Sequence, residues 1–203
     1  APFEKRSQEF VGGMLRKLDV DEQAWLVAAM DTIETLLDGQ ATAKPSYILR
    51  PPRHGDFGWM VARHAELYAR EYNWGDPFEG LCAQIVADFV NNYDPKLERC
   101  WIAEMNGANV GCVMVVKDTP GVARLRLLLV DPKARGLKLG TRLVDECVKF
   151  ARKAGYKSMT LWTHENLAAA RTIYAKAGFT LTSSEKKKSF GQNVVDEFWD
   201  MKL

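Results

Sequence analysis

Long apolar runs, clustered cysteines and a strong excess of one charge are all missing from this chain. No run approaches the roughly 18 apolar residues of a membrane-spanning helix, and the first residues lack the apolar core of a signal peptide. The sequence therefore predicts a cytoplasmic protein without a membrane segment. A net charge of +2 over 203 residues gives no general attraction to nucleic acid or lipid surfaces.

The spacing of the cysteines argues against disulfides and metal sites, and the common nucleotide-binding signatures are absent. The four cysteines are widely spaced, with no Cys-x-x-Cys and no histidine pair nearby, so we interpret them as buried thiols rather than disulfides or metal ligands. No metal site is predicted. The chain has no Gly-x-x-x-x-Gly-Lys-Ser/Thr loop, and nothing before residue 125 resembles Gly-x-Gly-x-x-Gly.

The segment from Leu125 to Gly140 carries the main functional signal. Leu125 to Val130 is an almost continuous apolar run, typical of a strand covered on both faces, and Asp131-Pro132 ends it. Glycines and cations then precede a helix with one apolar face. Because a helix N-terminus presents unpaired backbone N–H groups and positive dipole charge, this junction is a candidate phosphate site, although a plain strand–turn–helix has the same spacing.

Two motifs in a fixed order resemble those of the GNAT N-acetyltransferases. Val130-Asp-Pro-Lys-Ala-Arg-Gly-Leu-Lys-Leu-Gly140 is similar to the family's coenzyme A loop, and the segment from Asn166 through Tyr174 to Phe179 is similar to its second signature. The resemblance implies an α/β (α+β) fold, with a central mixed, mostly antiparallel sheet of six to seven strands flanked by helices. It also implies direct transfer of an acetyl group from acetyl-CoA to a primary amine of a small molecule or peptide.

The resemblance also implies which residues bind the cosubstrate. In the family the pantetheine arm lies between the central and fifth strands, which part, and the loop wraps the pyrophosphate. The implied cofactor-binding residues are Leu129, Val130, Arg135, Gly136, Leu137, Lys138, Leu139, Gly140, Thr141, Asn166, Ala169 and Tyr174. Tyr174 is the predicted catalytic donor, because a tyrosine with a pKa of about 10 can donate a hydrogen bond or a proton to a departing thiolate with a pKa of about 8.5.

Two positions depart from the family's pattern. Lys138 stands where the loop usually has its inner glycine, which puts the lysine side chain either near a phosphate or in solvent. Asn166 lies eight residues before Tyr174, whereas seven is commoner in the family. His164 or Glu165 therefore becomes an alternative for the role of the asparagine.

The acceptor site and the base are less well defined by the sequence. A free alkyl amine with a pKa of about 10.4 is almost fully protonated at neutral pH, so a base is needed, and Glu71, Glu104 and His164 are the candidates. The junction of the first two helices of the domain is rich in aromatic and acidic residues, which suits a cationic amine unless the rings are core and the acids solvated. The predicted substrate-binding residues are Tyr68, Glu71, Tyr72 and Trp74, with Asp76 and Glu79 beside them.

The first 45 residues are predicted to form a helical appendage and linker, followed by a catalytic domain over residues 46–203. Asp19 and Glu22 form a capping-box pattern, and the segment from Leu18 through Leu37 resembles the dimerisation helices of MarR-type repressors. The resemblance implies a homodimer through these helices. It also leaves a second reading open, in which the chain is an acyl-CoA-binding sensor module of such a regulator. DNA binding is disfavoured because no complete helix-turn-helix unit is visible.

Periodicity and turn residues predict the other elements of residues 46–203. The predicted helices cover residues 56–72, 78–93 and 167–177, the last followed by Gly178. The predicted strands are 47–50, 100–104, 110–116 and 158–163, with a final hairpin from 179 to 203.

Overall fold

The computed structural model describes residues 46–203 continuously and, before them, residues 11–15, 18–19, 22–23, 26–27, 29–30 and 33–34. The chain divides into two compact units, Ala1–Pro45 and Ser46–Leu203. In the first unit Asp19 and Glu22 exchange backbone-to-carboxylate hydrogen bonds of 2.9 and 2.8 Å, which is the capping box that their spacing predicts. Leu37 and the predicted linker up to residue 45 lie outside the described residues.

The second unit is built on one seven-stranded sheet in the order β1-β2-β3-β4-β5-β7-β6. Neighbouring strands are antiparallel except for the central pair β4 and β5, which is parallel. The predicted fold class is therefore confirmed. The strands are β1 Ile48–Arg50, β2 Arg99–Met105, β3 Ala108–Thr119, β4 Val122–Val130, β5 Ser158–His164, β6 Thr180–Ser189 and β7 Gln192–Lys202.

Helices cover both faces of the sheet, and a 3-10 turn lies at Pro132–Ala134. The helices are α1 Asp56–Tyr72, α2 Asp76–Asn92, α3 Leu139–Lys153 and α4 Ala168–Ala177. Met60 of α1 and Phe89 of α2 pack on one face with Met114, whereas Leu143 of α3 and Tyr174 of α4 belong to the core on the other face. Helix α2 begins two residues before its predicted start, because a proline in the first turn needs no hydrogen-bonded N–H.

The parallel strands β4 and β5 part at the middle of the sheet. They pair from Val122 with Ser158 only as far as Leu125 with Leu161, although both strands continue. Beyond that point β4 contains a bulge, because two residues lie between Arg126 and Leu129 while one lies between their partners on β3. Leu127 in this bulge has a φ of 49°. The bulge turns Leu129 to the face opposite Leu125 and leaves the edge of β4 open toward β5.

The cysteines are free and buried, as predicted. Burial raises the pKa of Cys82 to about 12, so this thiol is un-ionised at neutral pH. In the described part of the chain no group of histidine, cysteine or acidic side chains is placed to hold a metal ion. Within the same residues, no helix combines the length and the apolar character that crossing a bilayer requires.

Candidate active site

A cavity of about 460 Å³, here called cavity 1, lies beside the open edge of β4. Its walls come from the C-terminal half of α1, the end of β4, the start of α3 and the start of α4. Most of the predicted cofactor-binding residues line it, together with three of the predicted substrate-binding residues. The lining residues that the sequence predicted are Tyr68, Glu71, Tyr72, Leu129, Val130, Arg135, Gly136, Lys138, Leu139, Gly140, Thr141 and Ala169.

The N-terminus of α3 presents free backbone donors to cavity 1. Within the described residues, the N–H groups of Leu139, Gly140 and Thr141 have no hydrogen-bond acceptor, and the first helical bond runs from the Arg142 N–H to the Lys138 carbonyl at 3.1 Å. Three free amides at the positive end of a helix dipole form a site for an anionic group. Leu137 packs against the core instead of lining the cavity.

Lys138 caps α3 in a left-handed backbone conformation, with φ 58° and ψ 17°. This conformation costs a residue with a Cβ about 1–2 kcal/mol, which explains why the related loop usually has glycine here. The Lys138 side chain is exposed and lines cavity 1, so its ammonium group is available to an anion at the start of α3.

Gly140 allows α3 and α4 to approach each other at the edge of cavity 1. A Cβ on residue 140 would lie 2.7 Å from Ile173 Cδ1 and 3.5 Å from Val130 Cγ2. The first distance is too short for carbon atoms, so any larger residue would displace the Ile173 side chain or the helix N-terminus.

Gly140→Ala is expected to weaken coenzyme A binding about tenfold and to lower the free energy of unfolding by about 1–3 kcal/mol, because the added methyl group overpacks this contact. Adding Ile173→Val removes Cδ1 and should restore most of the affinity. Calorimetry and denaturant unfolding measure the two effects, with Ile173→Val alone as the control. Equal affinity of Gly140→Ala and wild type would contradict the proposed role of this contact.

Glu71 and Arg135 form an ion pair at one end of cavity 1. Arg135 Nη2 lies 2.7 Å from Glu71 Oε1 and 2.8 Å from Oε2. The carboxylate is therefore neutralised by Arg135 of the loop, and Glu71 lines cavity 1, whereas Tyr174 lines cavity 2.

A second cavity of about 80 Å³, cavity 2, lies where β4 and β5 part, on the face covered by α1 and α2. Tyr174, Trp74 and His164, all predicted site residues, line it. The two cavities share a wall made by Tyr68, Leu128, Leu167 and Ala170. A ligand bound in cavity 1 can therefore contact a second ligand bound in cavity 2, at the shared wall beside α4.

Tyr174 is 5% exposed, and burial raises the pKa of its hydroxyl above the ordinary value of 10.0. Its hydroxyl donates to no other group in the described part of the chain. It is therefore a protonated, uncommitted donor at the side of cavity 2.

His164 is buried in an aromatic environment at the side of cavity 2. Its ring lies 4.6 Å from that of Trp74 and 4.7 Å from that of Trp162, and burial lowers its pKa below 6.5. His164 Nε2 is 3.2 Å from Asp196 Oδ1, without the alignment of a hydrogen bond. The imidazole is thus neutral at pH 7, with a carboxylate close enough to stabilise its charged form.

His64 is a site residue that the sequence reasoning missed. Its Nδ1 lies 2.7 Å from the Met60 carbonyl and must donate to it, so Nε2 carries the lone pair. Nε2 is buried in the lining of cavity 2 without a partner, and burial lowers the pKa of the ring to about 4. The only signal in the sequence was its position four residues before Tyr68 on the same helix face.

Several predicted site residues lie outside both cavities. Glu104, near the C-terminal end of β2, forms ion pairs with Arg50 and Arg53. It lines neither cavity, so its position does not suit the predicted role of base. Asn166 is exposed in the turn before α4 and lines neither cavity.

The predicted carboxylates of the acceptor pocket are also placed elsewhere. Asp76 and Glu79 are exposed in the first turn of α2, and among the described residues no aspartate or glutamate lines cavity 2. Cavity 2 is therefore lined by rings and imidazoles, whereas Glu71 is the one predicted acid of the pocket that lines cavity 1, beside Tyr68 and Tyr72.

Comparisons with known proteins match this geometry. A model of the acetyltransferase (GNAT) family matches residues 59–179. An uncharacterized N-acetyltransferase of Schizosaccharomyces pombe is 33% identical over 139 residues, which make up 68% of this chain and 82% of that protein. An IAA acetyltransferase of Azospirillum brasilense is 34% identical over 82 residues, which make up 40% of this chain and 54% of that protein. The chain thus spans most of one relative and about half of the other.

The fold also recurs among solved structures. That of yncA from Salmonella typhimurium, solved with its cofactor acetyl-CoA, matches with a TM-score of 0.60 and 18% sequence identity. The match covers 77% of this chain and 94% of that one. At this identity the likeness establishes the fold alone.

Proposed function

Because the chain belongs to the GNAT acetyltransferase family and is an N-acetyltransferase, we propose that it moves the acetyl group of acetyl-CoA directly onto a primary amine of a small molecule held in cavity 2. The observation that carries the proposal is the meeting of the two cavities at the parting of β4 and β5. Cavity 1 offers anion-binding groups, and cavity 2 offers Tyr174 and neutral imidazoles.

The residues of cavity 1 fit coenzyme A. The free N–H groups at the start of α3, with Arg135 and Lys138, would hold the pyrophosphate. The open edge of β4 at Leu129 and Val130 would hydrogen-bond the amides of the pantetheine arm as a neighbouring strand would. Bound acetyl-CoA supplies an activated acyl group with a thiolate as leaving group.

Tyr174 is proposed to donate its proton to the departing sulfur. The C–N bond to the amine forms as the C–S bond breaks, so the sulfur gains negative charge that a donor in the lining of cavity 2 can stabilise. A raised pKa keeps the phenol protonated at neutral pH, so its O–H can donate a hydrogen bond to the sulfur as charge develops there.

His164 is the base that we assign among the three predicted candidates. Glu71 and Glu104 are engaged in ion pairs away from cavity 2. His164 is neutral, and Asp196 beside it would stabilise the imidazolium that forms when the amine proton is transferred. His64 has no carboxylate at its Nε2, so we assign it the role of accepting an N–H of the incoming amine and orienting it.

Release of free thiol from acetyl-CoA across a panel of amines tests the function. We expect binding of acetyl-CoA by calorimetry and amine-dependent release of thiol, with desulfo-coenzyme A as the control that binds without reacting. Tight binding with no release for any amine would favour an acyl-CoA sensor over an enzyme. Absence of binding would contradict the assignment of cavity 1.

We also propose that the chain forms a homodimer in which the N-terminal segments of the two copies pack against each other. Apolar residues there are exposed at helical spacing, including Leu26 at 40%, Met30 at 61% and Ile33 at 55%. Burying such a face favours association. Light scattering at micromolar concentration tests this, and a monomeric mass would rule it out.

A further inference from the structure

Arg126 is the one side chain with a full positive charge in the lining of cavity 2 as the structure describes it. None of the described residues that line this cavity carries a carboxylate. The neighbouring Arg124 takes the nearby acid Asp118 as its ion-pair partner. No hydrogen bond or ion pair joins Arg126 to any residue between 46 and 203. A guanidinium has five N–H donors, and here all remain available.

The position of Arg126 in the sheet aims it at the place where the strands part. Leu125 and Leu161 are the last residues paired between β4 and β5, so Arg126 and Trp162 follow directly on the two diverging strands. Arg126 pairs with Met114 of β3, whose side chain lies under α1 and α2. Directly opposed residues share a face, so Arg126 lies on the cavity 2 side.

The surroundings of Arg126 make an unpaired cation costly. Burial lowers its pKa, the positive charge of Arg124 lowers it further, and the carboxylate of Asp118, which is paired with Arg124, offsets this only in part, although a guanidinium stays charged. A half-buried charge without an ion-pair partner of its own is therefore poorly compensated for the solvation that it loses. An anion brought by a ligand would remove this cost.

Other unpartnered groups divide cavity 2 into a donor side and an acceptor side. The indole N–H groups of Trp74 and Trp162 are buried and donate to no acceptor in the described part of the chain. His64 supplies Nε2, a ring nitrogen that accepts, and His164 adds a second neutral imidazole to the same lining. The donors suit the oxygens of an anion, and the acceptors suit the N–H groups of an amine.

We propose that the acceptor is an amine that also carries a carboxylate, held by Arg126 together with the Trp162 N–H. The inference rests on the proposed acetyl transfer, whose acceptor it names. A planar guanidinium matches a carboxylate in two parallel hydrogen bonds. A volume of about 80 Å³ accommodates an aminocarboxylate head and little more, with the rest of the molecule extending outward. A polyamine, with further cations near Arg126, is disfavoured.

Matched pairs of acceptors test the inference. Leucine and 3-methylbutylamine differ only in the carboxylate, as do phenylalanine and 2-phenylethylamine, and the amino-acid amides keep the shape without the charge. We expect kcat/KM for thiol release to favour the carboxylate member about 10- to 100-fold, the range of a charged hydrogen bond. In Arg126→Gln this preference should fall to within about threefold. The control is Arg124→Gln, which removes a cation from the same strand face outside the cavity and should retain the preference.

A binding measurement separates this inference from the proposed function. The amine-free acids 4-methylpentanoate and 3-phenylpropanoate should bind the wild-type protein saturated with coenzyme A, and Arg126→Gln should lose this binding. Carboxylate binding without thiol release from any amine would overturn the acetyl transfer and keep the anion site. Turnover of amines with no preference for the carboxylate, or a preference unchanged in Arg126→Gln, would overturn the inference alone. Thermal unfolding checks that each variant is folded.

Discussion

Replacing Tyr174 by phenylalanine is expected to lower kcat about 10²- to 10⁴-fold, the usual contribution of a general acid, and to leave the affinity for acetyl-CoA close to that of wild type. The ring lies in the core beside Phe179, with ring centroids 6.1 Å apart, so phenylalanine keeps the packing and removes only the hydroxyl. Steady-state kinetics and calorimetry on the same preparations measure the two quantities.

Tyr68→Phe is the matched control for this prediction. Tyr68 lies in the wall shared by the cavities, and burial raises the pKa of its hydroxyl too. If Tyr174 is the acid, Tyr68→Phe should keep most of the turnover. Loss of turnover in Tyr68→Phe with normal turnover in Tyr174→Phe would assign the acid to Tyr68 instead.

The pH dependence of the same reaction reports on the base. Burial lowers the pKa of His164 below 6.5, so the neutral imidazole persists as the pH falls past the value at which a free histidine would be half protonated. We expect kcat to hold through pH 6.5 and to fall only in more acidic buffer. In His164→Gln this acid limb should disappear along with most of the activity.

The phosphate-binding part of the site could be predicted from the sequence because its cause is local. A strand, a turn with Gly136 and a helix start within sixteen residues define free N–H groups whatever the rest of the chain does. The turn also places residue 138 in a left-handed conformation, which explains why glycine is usual there but not why this chain has lysine. The fold class followed from the family resemblance that this loop and the segment from Asn166 to Phe179 carry.

The acceptor side could not be predicted because long-range geometry decides it. The bulge at Leu127 reverses the alternation of β4, and nothing in a run of leucines marks where this happens. The sequence therefore gave no reason to place Arg126 and His64 in one cavity. Similarly, the ion-pair partner of Glu71 is Arg135, which lies 64 residues further along the chain.

Asp56→Ala is expected to lower the free energy of unfolding by about 3 kcal/mol, a large part of the roughly 5–15 kcal/mol typical of a domain. The carboxylate accepts hydrogen bonds from Arg50 Nη1 at 2.6 Å, the Arg53 N–H at 2.6 Å and Asn109 Nδ2 at 2.8 Å. It thus ties β1 and β3 to the start of α1. Removing it leaves the half-buried Arg50 guanidinium with Glu104 as its remaining acidic partner.

Asp76→Ala is the matched control for the Asp56 variant. Asp76 also begins a helix, but it is exposed and has no ion-pair partner in the described part of the chain. Its loss should cost at most about 1 kcal/mol, the value of a carboxylate near a helix N-terminus. Urea unfolding of both variants separates the buried network from the helix effect, and equal losses would mean that the network contributes nothing further.

Acid titration gives an independent measure of the same carboxylate. Burial alone would raise the pKa of Asp56, but the hydrogen bonds from Arg50, the Arg53 N–H and Asn109 outweigh it and lower the pKa from 3.8 to about 2. Because the pKa of Asp56 is lower in the folded state than in the unfolded state, its ionised carboxylate stabilises the fold at pH values above the unfolded-state pKa. This contribution is lost as the pH falls through the folded-state pKa. The wild type should therefore lose about 2 kcal/mol between pH 4 and pH 2 from this group. Asp56→Ala should show a correspondingly shallower loss over the same interval, and parallel curves for the two proteins would refute the assignment.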